Sequence, residues 1–329
     1  MRRREFIGLI GGAAAWPVVA HSQQPGRIPV VSILWHGTEE RELANPFYHW
    51  VVQGFENAGL KPGVNVIIDH QFADESDAKY NRLAPQMVAR RPDVLVAITL
   101  PPTLALMKVQ GDIPLVFLGS FDPTVLGIGD NLARRSKPIT GVTGMGSDLR
   151  AKRLQILKTA VPSLSRVALL VNPRAQSTTE NDIKQYGEAA RLISVTVQDF
   201  EIAEYDQVGA AFTKLTEWKA EGVITSHTPL FALISEELAN AALAARLPLL
   251  AFAETFVPVG ALMSYGSSPR DLFLSGGPLV KRVLAGERPD EIPVVNATKF
   301  ELVVNLKTAA ALGLTFPPQF LATVDRVVE

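Results

Sequence analysis

The sequence contains no cysteine. Disulfides, thiolate metal sites and cysteine nucleophiles are therefore excluded together. A chain without thiols also suits an oxidising compartment, where an unpaired one is a liability. Charge of one sign is equally scarce in excess, with a formal net charge of −1. That balance provides no electrostatic footprint for nucleic acid or an anionic membrane surface. The five histidines (His21, His36, His49, His70, His227) are scattered without metal-ligand spacing. No G-x-x-x-x-G-K-[ST] loop and no G-x-S-x-G elbow occurs. Gly144-Met145-Gly146 lacks the third glycine of a dinucleotide fingerprint and reads as an interdomain crossing. No catalytic residues, metal or cofactor are expected, and the chain does not read as an enzyme.

What is present begins with a distinct amino terminus. Arg2, Arg3 and Arg4 precede an apolar stretch from Phe6 to Ala20, followed by a small-x-small pattern at Ala20-His21-Ser22. This is the layout of a secretory signal peptide covering residues 1–22, cleaved after Ser22. Arg3-Arg4-Glu5-Phe6-Ile7 resembles the twin-arginine export pattern. The apolar part is shorter than the ~20 residues a spanning helix needs. A periplasmic protein with no direct membrane insertion after cleavage is expected.

With 329 residues, 47% of them hydrophobic, the chain exceeds what one core usually serves. One rhythm of strands and helices runs twice. In the first half, strands are expected at Ile28–Trp35, Val64–Asp69, Asp93–Thr99 and Ile113–Leu118, with helices at Pro46–Ala58, Asp77–Arg90 and Thr103–Gln110. Pro85 inside the second helix allows a kink or a late start. In the second half, strands are expected at Arg166–Val171, Val195–Ile202, Gly222–Thr225 and Leu247–Phe252. Helices there are expected at Glu180–Ile193, Asp206–Lys219 and Ala232–Ala245. The tail adds strands at Ala261–Tyr265 and Phe300–Asn305, and helices at Pro269–Leu284 and Leu306–Leu312. Alternation of this kind implies right-handed crossovers and parallel sheets. The fold class is thus α/β: two doubly wound parallel-sheet domains, a multi-strand hinge and a ligand cleft between them. The expected division is 27–143 with about 260–297 for the first domain, and 144–259 with about 298–329 for the second.

Ligands of such folds bind outside the carboxyl ends of the strands. The loops at those ends are Trp35–Gly37, Thr99–Thr103, Gly119–Pro123, Asn172–Ser177, Ser226–Pro229 and Ala253–Phe256. Asp122, beside Ser120, can pair with a ligand ammonium or cap the turn that Asp-Pro starts. Thr99, Thr103, Ser226 and Thr228 offer hydroxyls beside helix amino termini, where a ligand carboxylate is favoured, or serve as ordinary caps. Asn172 is a turn former or an amide contact, and Glu254 is a second candidate for a cation. Trp35 and Tyr265, like Phe121 and Phe256, form a ligand wall or belong to the core. His36 and His227, at strand ends, face a ligand or solvent.

Longer blocks carry a family resemblance. Phe121-Asp122-Pro123, Gly141-Val142-Thr143-Gly144 and the run from Val161 to Ala168 stand in order. Gly260–Gly266 and Lys299–Ala309 follow. Together they resemble the ABC transporter substrate-binding proteins of the tryptophan/tyrosine type across nearly the whole chain after residue 22. The resemblance implies a type I periplasmic-binding-protein fold, a small-molecule ligand such as an aromatic or apolar amino acid, and an ABC permease partner in the inner membrane. Its Asp-Pro and Ser-Tyr-Gly motifs map onto Asp122 and onto Ser264, Tyr265 and Gly266. The chain departs from the family pattern at Arg135-Ser136-Lys137-Pro138 and at Ser267-Ser268-Pro269. The expected protein is a monomeric extracytoplasmic clamp. A sensory module presenting its ligand to a separate receptor would use the same fold and cleft.

Overall fold

The computed structural model describes residues 27–121, 126–127, 137–144, 149–296 and 299–329. The amino-terminal signal expected over 1–22 lies outside them, as does Asp122.

The first lobe is built from β1 (Val30–Trp35), α1 (Glu39–Ala44), α2 (Pro46–Asn57), β2 (Ile67–Phe72), α3 (Asp77–Ala89), β3 (Val94–Ile98), α4 (Leu100–Val109), β4 (Leu115–Leu118) and β5 (Ile139–Thr143). The second lobe follows with α5 (Leu149–Ala160), β6 (Arg166–Val171), α6 (Gln176–Leu192), β7 (Thr196–Glu201), α7 (Val208–Glu217), β8 (Gly222–Thr225), α8 (Pro229–Leu233), α9 (Ser235–Ala244), β9 (Leu249–Ala251) and β10 (Met263–Ser267). The chain then returns to the first lobe with α10 (Pro269–Leu274), α11 (Gly276–Leu284) and β11 (Val295–Asn296). It ends in the second with β12 (Phe300–Asn305), α12 (Leu306–Leu312), α13 (Pro318–Leu321) and β13 (Arg326–Val328).

The first sheet has the order β11-β5-β4-β3-β1-β2, and every pairing in it is parallel. The second has the order β13-β12-β10-β9-β8-β6-β7. Inner strands such as β3 (VLVAI), β4 (LVFL) and β8 (GVIT) are buried at every residue, because helices cover both faces. The edge strands β2 (IIDHQF) and β7 (TVQDFE) carry polar and charged residues, which discourages pairing with another chain.

One pairing is antiparallel, β10 with β12, where Ser267 stands opposite Phe300. The reason is topological. β10 runs beside β9 toward the carboxyl end of the sheet and leaves there for the first lobe. β12 returns from the first lobe at the same end, so it must run the other way. The chain thus passes between the lobes three times, after β5, after β10 and after β11.

Several boundaries differ from the sequence expectation. The strand expected at Ala261–Tyr265 is Met263–Ser267. It pairs in the second sheet, although residues from about 260 were expected in the first domain. The strand expected at Val64–Asp69 begins at Ile67. Lys61–Val66 is instead closed as a turn, by Gly63 N–H to the Val66 carbonyl at 2.9 Å and by the Asn65 side chain accepting from Lys61 N–H at 2.6 Å. The helix expected from Thr103 begins at Leu100, with Pro101 and Pro102 in its first turn, where a missing N–H is harmless. The helix expected over Pro269–Leu284 is interrupted at Ser275. Helix α3 runs through Pro85, which lies exposed, with Leu83, Ala84 and Met87 facing the core.

Helices α10 and α11 dock on α2 through a close backbone approach. A Cβ on Gly277 would overlap the Gly54 carbonyl oxygen, and one on Gly54 would overlap that of Leu274. Only glycine permits this separation on both sides. The contact sets the position of Phe47 on α2 against Phe273 on α10, with ring centroids 4.7 Å apart.

Candidate functional site

A cavity of about 850 Å³ lies between the lobes, at the carboxyl ends of both sheets. That is the size of a small-molecule site. A smaller one, about 590 Å³, sits on the first lobe near Pro114, Lys137 and Pro138, at the amino ends of β4 and β5. The opening between the lobes is where doubly wound folds bind.

The first lobe contributes the turn after β3 (Thr99, Leu100), the turn after β4 (Gly119, Ser120, Phe121), Phe47 and Tyr80. The second contributes the loop after β6 (Arg174, Ala175), the loop after β8 (His227, Thr228), Phe252 and Ala253 after β9, and Arg150 on α5. Ser267 and Phe273 line it at the crossing into α10. Gly144, at the first crossing, is packed so closely between the Ser120 and Ser267 hydroxyls that a Cβ would strike both.

Two features of this wall stand out. Thr99 has φ 75° and ψ 177°, a backbone region that a β-branched residue seldom occupies, and its buried Oγ1 has no hydrogen-bond partner. Such strain costs about 1–3 kcal/mol and persists only where the surroundings impose it. Here Thr99 N–H donates to the Leu118 carbonyl at 2.8 Å, and its own carbonyl accepts from the Thr103 hydroxyl at 2.6 Å. On the opposite wall, His227 stacks on Phe252 with centroids 4.1 Å apart. Burial first, then the Arg153 and Arg150 guanidiniums, pull His227 down to about 3, so the ring is neutral.

Of the residues expected at the site, Thr99, Ser120 and Thr228 stand on the cavity wall. Thr228 also caps α8, accepting from Phe231 N–H at 3.4 Å. The others stand elsewhere. Thr103 is fully buried beneath Thr99. Trp35 is fully buried, its indole N–H donating to His70 Nδ1 at 3.0 Å. Asn172 closes its own turn, accepting from Arg174 N–H at 3.0 Å. Ser226 is buried away from the wall. Glu254 pairs with Arg326 and accepts from the Ser268 hydroxyl at 3.4 Å. Tyr265 lies half-buried with its carbonyl accepting from Arg153 Nε at 2.7 Å. Phe121 and His227, named as alternatives, do line the cavity, whereas Phe256 and His36 do not.

Sequence reasoning passed over Tyr80, Arg150, Arg174 and Phe252. Tyr80 and Arg150 sit inside helices, where nothing local marks a residue as facing a ligand. Arg150 is 5% exposed; its Nε donates to Asp182 and its Nη1 to Gln185 Oε1 at 3.3 Å. Among the described residues, no group of three or more acidic or histidine side chains could hold a metal ion.

Beside the cavity the lobes touch through polar side chains. Arg41 on α1 lies 3.1 Å from Glu237 on α9 and 3.9 Å over the Tyr205 ring. Asn45 Nδ2 donates to the Ala232 carbonyl at 3.2 Å. Beneath them His36 Nδ1 is 2.5 Å from the Tyr80 hydroxyl, and His36 Nε2 is 3.7 Å from Glu75, whose carboxyl faces Tyr205 of the second lobe. Burial lowers His36 to about 3 and raises Glu42 and Glu75 to about 7 each.

Comparison with known proteins agrees with this architecture. The family model for ABC transporter substrate binding proteins matches residues 44–328. A tyrosine-binding protein of Clostridioides difficile (strain R20291) is 24% identical over 270 residues, 80% of this chain and 75% of that protein. A conserved domain protein from Vibrio cholerae has a TM-score of 0.81 at 23% identity, covering 92% of this chain and 100% of the other. An ABC domain in complex with L-Trp from Streptococcus pneumoniae has a TM-score of 0.80 at 20% identity, with the same coverage. The chain belongs to the family of ABC transporter substrate-binding proteins.

Proposed function

We propose that this protein captures an aromatic or apolar amino acid outside the cytoplasmic membrane and delivers it to the permease of an ABC importer. The observation that carries the reading is the 850 Å³ cavity, which draws its wall from the strand ends of both lobes. Phe47, Phe121, Phe252 and Phe273 supply apolar surface for a side chain. Thr99, Ser120, Thr228 and Arg150 supply polar groups for a head group. Relatives that bind tyrosine and L-Trp support the ligand class.

Binding to one lobe and closure of the other removes water from the ligand, which strengthens each charged contact. The three crossings serve as the hinge, and the closed form is what the permease recognises. The signal expected over 1–22 is removed on export, and the mature chain acts as a monomer without catalysis. No helix among the described residues is long and apolar enough to cross a membrane.

A thermal-shift screen with amino acids, aromatic acids, sugars and metal cations tests this. A ligand at 100 times its Kd adds about 2.7 kcal/mol, a rise of roughly 4–8 °C in Tm. A rise confined to sugars or to cations would refute the ligand class, and silence from every amino acid would count against capture.

A further inference from the structure

We propose that the ligand's carboxylate is seated on the Arg150 guanidinium of the second lobe, and that this contact makes a free carboxylate a condition of binding. The inference deepens the amino-acid reading and rests on it for the choice of probes.

Two of the helix starts at the cavity, those of α4 and α8, offer an anion little; the start of α6, where Ala175 and Thr178 line the cavity without a side-chain cap, belongs to the same lobe as Arg150. The first turn of α4 contains Pro101 and Pro102, which have no N–H, and Thr103 N–H is turned back to the Thr99 carbonyl at 3.4 Å. Helix α8 is one turn long, begins with Pro229, and has its Phe231 N–H taken by the Thr228 hydroxyl. Neither matches the arrangement of free N–H groups that makes a helix start an anion site.

Arg150 has what they lack. It is buried yet lines the cavity. Its guanidinium is held at Nε by Asp182 and at Nη1 by Gln185, both of α6, and Gln185 is held in turn by donating to Asn181 at 2.9 Å. Held this way, the guanidinium keeps its Nη2 amino group without a partner among the described residues and can offer it to a ligand without further loss of side-chain freedom. The local charge also calls for an anion. Around His227 stand two buried guanidiniums, Arg150 and Arg153, and one buried carboxyl, Asp182. Arg153 is spent on the carbonyls of Tyr265 and Phe252, at 2.7 and 3.5 Å. His227 is neutral and stacks on Phe252, so it adds no charge and places an aromatic surface beside the seat. Among the described residues packed around His227, the guanidiniums thus outnumber the carboxyls by one, and a buried cation of this kind is costly unless an anion completes it.

The test is calorimetric titration of the purified full-length protein with L-tryptophan, L-tyrosine, their methyl esters and 3-phenylpropanoate. Wild type should bind an acid about 10- to 100-fold more tightly than its ester, the range for a hydrogen bond to a charged group. Arg150→Lys keeps a cation beside Asp182 and loses the fork. It should weaken the acid about tenfold and leave the ester unchanged. Arg150→Gln should abolish the acid–ester difference, with folding checked by its melting curve. Equal weakening of acid and ester in Arg150→Lys, or no weakening of either, would overturn the carboxylate seat while leaving the amino-acid reading standing. Binding of 3-phenylpropanoate with rejection of both amino acids would keep the seat and overturn the amino-acid reading. Binding of the esters alone would overturn both.

Discussion

At the scale of single residues, the titratable groups beneath the lobe contact govern how stability responds to pH. Glu42 and Glu75, raised by burial to about 7, hold protons in the folded state that the unfolded chain begins to release near their ordinary value of 4.5. The folded state binds more protons, so these two groups lower stability as pH rises from about 4.5 through about 7. His36 and His227, lowered to about 3, act in the opposite direction: the unfolded chain protonates near 6.5 and the folded one does not, so stability falls as pH drops below 6.5. The two effects oppose each other between 4.5 and 6.5, and only the carboxyl effect continues above. Groups facing Glu75 are His36, Tyr80 and Glu42 from its own lobe, Asp74 beside it, and Tyr205, Glu204 and Arg174 from the other. Glu75→Gln should therefore flatten the fall in stability between pH 6 and pH 8, read as the urea midpoint. An unchanged slope would mean that Glu75 is ionised in the folded protein.

At the scale of elements, the docking of α10 and α11 on α2 places the returning segment against the first lobe. It depends on two backbones touching at Gly54 and Gly277. Gly277→Ala forces the helices apart and disturbs the Phe47–Phe273 contact on the cavity wall. A cost of about 1–3 kcal/mol is expected, as for other overpacked positions, and ligand affinity should fall with it. Urea denaturation followed by far-UV circular dichroism measures the first, and titration the second. The periodicity of residues 269–284 reads as one helix, and the break at Ser275 is not visible in it. The break falls where the backbone of Leu274 to Gly277 comes against Gly54 of α2, so it belongs to tertiary packing. The shift of β2 to Ile67 is of the same kind. Val64-Asn65-Val66 has strand propensity, but the Gly63 turn and the Asn65 side chain claim it, leaving Val64 exposed.

At the scale of the whole molecule, capture depends on how the lobes meet. Arg41 bridges them by an ion pair with Glu237, a donation to the Leu233 carbonyl at 3.4 Å and a cation–π contact with Tyr205. Both groups of the pair are partly exposed, so together the contacts contribute about 1 kcal/mol. Arg41→Ala should weaken ligand binding about fivefold through the closed population alone, with Tm nearly unchanged. Small-angle scattering should show a larger radius of gyration for the unliganded variant. An equal radius with equal affinity would show that the contact does not bias closure.

What the sequence determined by itself was the architecture: alternating apolar strands and amphipathic helices admit little but parallel, doubly wound sheets, and the blocks ending at Gly266 and Ala309 carry the family. The loops at strand ends were legible too, and Thr99, Ser120 and Thr228 lie on the cavity wall because those loops must open there. The tertiary structure alone decided which strand-end residues face the ligand and which support it. Trp35, Asn172 and Glu254 look the same in sequence as their neighbours on the wall, yet each is engaged by a partner distant in the chain or by its own turn. It also decided the site's charge, since Arg150 acquires its role from Asp182 and Gln185 on another helix. Periodicity records which face of an element is buried. It does not record which buried face lies against another domain, because burial by the core and burial by a ligand demand the same apolar pattern.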